Sequence, residues 1–296
     1  MKLHLVDATF ELFRAYYSRP AEIGPDGRPV NAIRGLIESM LSLLREPEVT
    51  HLAAATDHVI ESWRNDLYHG YKSSAGIDPA LLAQFDDAER ALRALGIVTW
   101  PLVAEEADDA IASAVARFAG DPRLEQTVIC SVDKDLAQCV SGRRVVLRDR
   151  IRSVTYDQAG VIAKFGVAPE SIPDYLALVG DSADGFPGLP GWGAKSAAAI
   201  LARFGHLESI PESPLDWELP MRNAVRLAAV LRDQRAEAVL FRRLATLNRD
   251  VPIDEDLDAL AWGGVPKAPF LALCTELGFN RIRERVHRWS PGAPSV

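Results

Sequence analysis

The chain has 296 residues, 48% hydrophobic and 25% charged, which is enough for one large domain or two modest ones. No apolar run approaches the roughly 20 residues that cross a bilayer, and the opening MKLHLVDATF lacks a signal-peptide layout, so a membrane or exported protein is disfavoured. A net charge of −8 excludes a uniformly basic nucleic-acid binder, although a local cationic track remains open.

In chain order, residues 3–6 form an apolar strand, followed by helical patterns over 9–17 and 31–44. Residues 51–56 are the next strand, 78–95 a helix opened by Pro79, and 97–100 a third strand. A helix over 105–118 carries acids in its first turn, where the macrodipole favours them. Strands over 126–131 and 143–147 complete the set. Strands separated by helices predict an α/β fold, a parallel twisted sheet flanked by helices. Beyond about residue 157 the strand pattern stops and helices are predicted over 157–165, 169–179, 194–204, 224–230 and 234–244. The expected division is therefore 1–160 and a helical 161–296, with a disordered tail after Trp289. Cys130, Cys139 and Cys274 show no metal-ligand spacing, and an odd count suggests reduced thiols in a cytoplasm.

Nine acids stand out: Asp7, Asp57, Glu106, Asp108, Asp109, Asp133, Asp135, Asp181 and Asp184. Asp7, Asp57 and the Asp133/Asp135 pair directly follow strands, and ligands of parallel sheets bind beyond the carboxyl ends of strands. Clustered carboxylates need a positive counterpart, and oxygen-rich sites suit Mg²⁺ or Mn²⁺. Removing these nine from the 41 acids leaves 32 against 33 Lys and Arg, so the remaining surface is about neutral. The acids of Glu106-Ala-Asp-Asp109 serve equally well as helix caps. Asp133 and Asp135, two apart in extended or looping backbone, point the same way and reach one ion.

The stretch from Leu178 to Ser196 is the most distinctive. Asp181 and Asp184 share a turn, and Gly188-Leu-Pro-Gly191-Trp192-Gly193 leads into a helix starting near Ala194. Glycines allow close backbone approach, the helix N-terminus can hold a phosphate, and Lys195 adds a charge-assisted contact. The segment from Trp63 to Lys72 mixes cations with aromatics, as a single-strand grip does, yet Trp63, Leu67 and Tyr71 also fit a core-facing helix stripe.

Together these motifs resemble the 5′ nuclease superfamily: Leu-Val-Asp7, Asp57 with Trp63-Arg64 and Tyr71-Lys72, Glu106-Ala-Asp-Asp109, Asp133-Lys-Asp135, and Gly180-Asp-Ser-Ala-Asp184 with Gly191-Trp-Gly-Ala-Lys195. They occur in the order found in the 5′-3′ exonuclease domain of bacterial DNA polymerase I, its stand-alone relatives and flap endonucleases. The match runs from residue 1 to about 280, and no polymerase segment follows, so a free-standing form is expected. The resemblance implies a PIN-like catalytic core and a helix-three-turn-helix DNA-binding domain. It implies two Mg²⁺ ions, replaceable by Mn²⁺. Asp7, Asp57, Glu106, Asp108, Asp133 and Asp135 would surround the first, and Asp109, Asp181 and Asp184 would serve the second. Lys72, with Arg64, would steer the scissile phosphate, and residues near 58–80 would form an arch over the 5′ strand. Tyr71, Gly188, Gly191, Trp192, Gly193, Lys195 and Ser196 would touch DNA, with a K⁺ ion on the hairpin carbonyls. The implied substrate is branched or 5′-flap DNA, RNA-primed substrates included. The setting is replication and repair in a bacterial cytoplasm at the nucleoid, linked functionally to a polymerase or ligase, with no membrane partner.

Four positions depart from the family pattern: Ala75 replaces an arch arginine, Ala8 a glycine, Thr56 an aromatic residue and Gly185 an asparagine. None removes an acid. Ala75 leaves open a DNA-structure-binding protein with weakened or vestigial nuclease activity.

Overall fold

The computed structural model describes residues 1–291. In chain order its elements are β1 (Lys2–Asp7), α1 (Ala8–Ser18), α2 (Asn31–Leu43), β2 (His51–Asp57), α3 (Trp63–Leu67), α4 (Pro79–Leu82), α5 (Phe85–Ala94), β3 (Val98–Leu102) and α6 (Ala107–Phe118). They continue with β4 (Gln126–Cys130), β5 (Val145–Asp149), β6 (Val154–Tyr156), α7 (Gln158–Phe165), α8 (Ile172–Val179), α9 (Ala194–Phe204), α10 (Ala224–Asp233), α11 (Arg235–Ala245) and α12 (Lys267–Glu276). Two compact units result: Met1–Ile60 with Ser74–Cys130 and Arg249–Val296, and Glu61–Ser73 with Ser131–Asn248.

In the first unit β3, β2, β1 and β4 lie side by side and all run parallel. Buried apolar runs such as Leu3, Leu5 and Val6 suit strands covered on both faces. On α2, Ile33, Leu36, Ile37, Met40 and Leu41 recur at helical spacing and are fully buried, each contributing roughly 2 kcal/mol relative to exposure. The single helix predicted over 78–95 is interrupted at Ala83 and Gln84. Gln84 explains the break, because its carbonyl accepts from the N–H groups of Ala32 and Ile33 (2.9 and 3.3 Å) at the start of α2. Its amide donates to the Asn31 side chain and to the Ala80 carbonyl (3.2 and 2.8 Å).

The C-terminal segment returns to this unit. Leu52 N–H donates to the Leu260 carbonyl and Trp262 N–H to that of Thr50, both at 2.9 Å. Helix α12, with Pro269 in its first turn, was not among the predicted elements. The tail expected to be unpacked begins with Ser290, whose N–H donates to the Val265 carbonyl at 2.9 Å. Residues 292–296 lie outside those described.

The second unit holds the antiparallel pair β5–β6 and helices α3 and α7–α11. Strand β6 escaped prediction because it is three residues long. Its turn is tight, with Ser153 at φ 55° and Asp149 Oδ1 accepting from Ile151 and Arg152 N–H at 2.9 Å.

Candidate metal centre

Three carboxylates of the second unit converge. Asp135 opens a 3-10 turn, Asp135–Cys139, while Asp181 and Asp184 occupy the turn after α8. That turn closes on itself, since Asp181 N–H donates to the Phe186 carbonyl and Phe186 N–H to that of Asp181 (2.8 and 3.0 Å). One ligand oxygen from each of Asp135, Asp181 and Asp184 lies within 4.8 Å of the others, and all three side chains are buried. Lys72 Nζ pairs with Asp184 Oδ1 at 3.0 Å and Lys134 Nζ with Asp181 Oδ2 at 2.6 Å. Sequence reasoning missed Lys134; its place between Asp133 and Asp135 was the available signal.

Burial pushes the Asp135 carboxyl well above the usual carboxylate range, and the charges of Asp133, Asp184 and Asp181 push it further, with Lys72 opposing. Burial works against the Lys134 ammonium, yet its hydrogen bond and attraction to Asp181 leave its affinity for the proton raised overall. Asp135 Oδ1 is buried without a hydrogen-bond partner. A stranded acceptor beside two more carboxylates fits a hard cation with oxygen ligands. Asp133 accepts from Asp135 N–H at 2.9 Å, which fixes the Asp-Lys-Asp loop. The structure thus groups Asp135 with Asp181 and Asp184, across the division between two ions drawn from the resemblance.

The first unit presents its own acids at the carboxyl end of its sheet. Asp7 ends β1, and its Oδ1 accepts from Phe10 N–H at 2.8 Å, capping α1. Asp57 ends β2, and its Oδ1 accepts from Ala107 N–H at 2.7 Å at the start of α6. Glu106 and Asp109 form a capping box, with Asp109 Oδ2 accepting from Glu106 N–H at 3.1 Å. Asp109 is fully buried and Asp108 half-buried. The capping role left open by the sequence is therefore real for this pair.

Three side chains expected to touch DNA or its phosphates sit elsewhere. Arg64 is 1% exposed, and its guanidinium donates to the carbonyls of Leu244 (2.7 Å) and Thr246 (3.3 Å), anchoring α3 beside the end of α11. The grip reading fails there because an arginine among aromatics is equally suited to a buried anchor. Tyr71 is buried, as is Trp192, whose ring packs 6.1 Å from that of Trp217. Nor is 63–71 one helical stripe, for α3 ends at Leu67. Lys72, by contrast, is half-buried at the acid cluster.

In the glycine-rich turn between α8 and α9 the close approach is of the chain's own backbone. Gly180 and Gly188 have φ of +82° and +68°, and a Cβ on Gly188 would lie 2.3 Å from Gly180 N. Only glycine permits two backbones to pass so closely. Gly191, Gly193 and Lys195 are exposed. Ser196 Oγ accepts from Gly193 N–H at 3.1 Å, so α9 begins with exposed first-turn N–H groups, a feature that favours anions.

The first unit is thus a parallel α/β sheet with acids at its strand ends, and the second carries a buried carboxylate cluster. Residues 2–166 match the 5′-3′ exonuclease N-terminal resolvase-like domain and 167–268 the 5′-3′ exonuclease C-terminal SAM fold. The chain belongs to the 5′-3′ exonuclease family. It is 35% identical over 281 residues to DNA polymerase I of Pseudomonas aeruginosa and 36% over 293 residues to that of Rhizobium leguminosarum. The matches cover 94% and 96% of this chain but 30% and 28% of those proteins. Its fold resembles the zinc-bound 5′-exonuclease of T5 (TM-score 0.67, 18% identity, 94% of this chain and 99% of that one). It also resembles the catalytic core of Rad2 in complex with DNA substrate (TM-score 0.63, 15% identity, 96% and 91%). Among the described residues, no helix is long and apolar enough to cross a membrane.

Proposed function

We propose that the chain hydrolyses DNA phosphodiesters near 5′ ends and at 5′-flap junctions, using divalent ions, Mg²⁺ first and Mn²⁺ as a substitute. The observation that carries this reading is the buried Asp135–Asp181–Asp184 cluster with its stranded Oδ1. When bound, the ions supply charge neutralisation and activation of the attacking water. Asp135, Asp181 and Asp184 are candidate ligands of one ion, with Asp133 fixing their loop. Asp7, Asp57, Glu106 and Asp108 are candidates for the other, and Asp109 holds the α6 start in place. Lys72 is placed to meet the scissile phosphate by exchanging Asp184 for it, which stabilises the charge that develops there. The exposed N–H groups of α9, with Lys195 and Ser196, suit a duplex phosphate, and the carbonyls of the preceding turn suit K⁺. Branched substrates, RNA-primed flaps included, and a bacterial cytoplasmic setting beside a polymerase or ligase belong to the same reading.

The test is product mapping on a labelled 5′-flap duplex with Mg²⁺ or Mn²⁺, beside an RNA–DNA hybrid and a small phosphomonoester. Short products ending in 3′-hydroxyl, with a 5′-phosphate on the remaining strand, are expected from the flap. Asp133→Ala and Asp181→Ala should abolish cleavage and retain flap binding; undiminished turnover by both would sink the reading. Ala75 favours a second reading, structure-specific DNA binding with weak cleavage. Ala75→Arg separates the two: a rate above wild type speaks for a nuclease with a missing cation, and unmeasurable cleavage by both proteins for the binder.

A further inference from the structure

The end of β2 is braced from below by a carboxylate that none of the nuclease motifs contains. Glu89, on α5, is buried. Its Oε1 accepts from Thr56 Oγ1 at 3.1 Å and lies 3.0 Å from His58 Nδ1. Arg93, one turn along the same helix, pairs with its Oε2 at 3.3 Å. Thr56 and His58 are the two neighbours of Asp57, so one buried group grips the chain on both sides of a candidate ligand.

The rest of that rung is tied as well. Asp57 N–H donates to Thr9 Oγ1 at 2.8 Å, and Asp57 pairs in register with Leu102 of β3. His58 N–H then donates to the Leu102 carbonyl at 2.8 Å, the point where β2 leaves the sheet. Without Glu89, the two side chains flanking Asp57 lose their common anchor, and a buried hydroxyl loses its acceptor.

We infer that Glu89 is a positioning residue: by holding Thr56 and His58 it aims the Asp57 carboxylate at the divalent ion. The inference rests on the proposed nuclease reading for its ion but concerns orientation, not chemistry. A ligand fixed in advance loses less freedom on binding, so its support is worth about 10–100-fold in metal affinity.

The experiment compares wild type, Glu89→Ala, Glu89→Gln and Thr56→Val. Mn²⁺ binding to the DNA-free protein is measured by the electron paramagnetic resonance of free Mn²⁺. Flap cleavage is titrated with Mg²⁺, and the KM for DNA is measured at saturating metal. Glu89→Ala should weaken Mn²⁺ binding at least tenfold and raise the Mg²⁺ concentration for half-maximal rate to match. The KM for DNA should stay within twofold. Glu89→Gln, which keeps the acceptor oxygen, should recover most of the affinity, and Thr56→Val should lose part of it. Wild-type Mn²⁺ affinity in Glu89→Ala overturns the inference, as does a Glu89→Gln variant no better than Glu89→Ala. If Glu89→Ala does not fold, Thr56→Val decides alone, and unchanged affinity there overturns the inference too. Weakened Mn²⁺ binding in a chain whose wild type cuts no flap would remove the nuclease reading and leave the brace standing.

Discussion

Replacing Asp135 by asparagine removes one charge from a cluster that the metal-free chain holds at a cost. Ligand oxygens within 4.8 Å of one another, at an effective dielectric near 20, repel by at least about 3 kcal/mol per fully charged pair. Asp135 has two such neighbours, Asp181 and Asp184. Lys134 and Lys72, 2.6 and 3.0 Å from those neighbours, offset much of that repulsion, and partial protonation of Asp135 relieves more. A net gain of roughly 1–3 kcal/mol is left for Asp135→Asn without metal, or about 2–8 °C in melting temperature for a protein of this size. Metal closes that gap, and reverses the order where the metal-free gain is at the low end of that range. An ion at about 100 times its dissociation constant stabilises the wild type by roughly 2.7 kcal/mol, and the variant should lose most of that increment along with its cleavage. The assay is thermal unfolding in EDTA and across a Mg²⁺ or Mn²⁺ series. A variant that melts below wild type in EDTA, or that keeps the full metal-dependent rise, would show that these carboxylates form no cation site.

Gly188→Ala should destabilise the second unit by at least about 3 kcal/mol, because left-handed backbone and a 2.3 Å approach to Gly180 N combine; urea unfolding checks this, and a loss under 1 kcal/mol would contradict it. Arg64→Ala should cost roughly 2–4 kcal/mol by leaving the buried Leu244 carbonyl unmatched, removing the bond to Thr246 and emptying the volume of a buried side chain. A stable variant with slow cleavage would instead return Arg64 to the phosphate. Burial pushes the Cys274 thiol up to about 11 from its ordinary value near 9, against the pull of Arg283 and Arg34. Raised in the fold, it contributes stability that is complete below pH 9 and lost as pH climbs through 11, on the order of 2 kcal/mol. Urea midpoints at pH 8 and 11, with Cys274→Val as control, measure it; equal losses in both proteins would refute the assignment.

The parts of the site legible in the sequence are those that strand ends dictate. Asp7 and Asp57 were placed because a parallel sheet presents the carboxyl ends of its strands together, and one apolar run is enough to locate such an end. The glycine turn was legible because φ above zero and close backbone approach leave few other residues possible. Arg64, Tyr71 and Trp192 were misplaced for the converse reason. Cations and aromatic rings serve a nucleic-acid surface and a buried anchor equally well, and burial is a tertiary property. Gln84 and α12 escaped for a related cause, since what stops or admits a helix there lies more than 50 residues away or in a weak local pattern. The division into units was least legible of all, because the segment after Asn248 returns to strands laid down near residue 50.

Lys72 and Lys134 offset part of the repulsion among the buried acids of the second unit. Each ammonium lies against one carboxylate, Lys72 on Asp184 and Lys134 on Asp181, and among the described residues Asp135 Oδ1 has no hydrogen-bond partner. Asp133 adds a fourth carboxylate to Asp135, Asp181 and Asp184, so the acids outnumber the two ammonium groups, and burial makes the surplus negative charge expensive. A divalent ion would supply the positive charge that this surplus lacks. The proposed exchange of Asp184 for a phosphate would use Lys72, half-buried at the cluster, and not Arg64, which is held by two main-chain carbonyls.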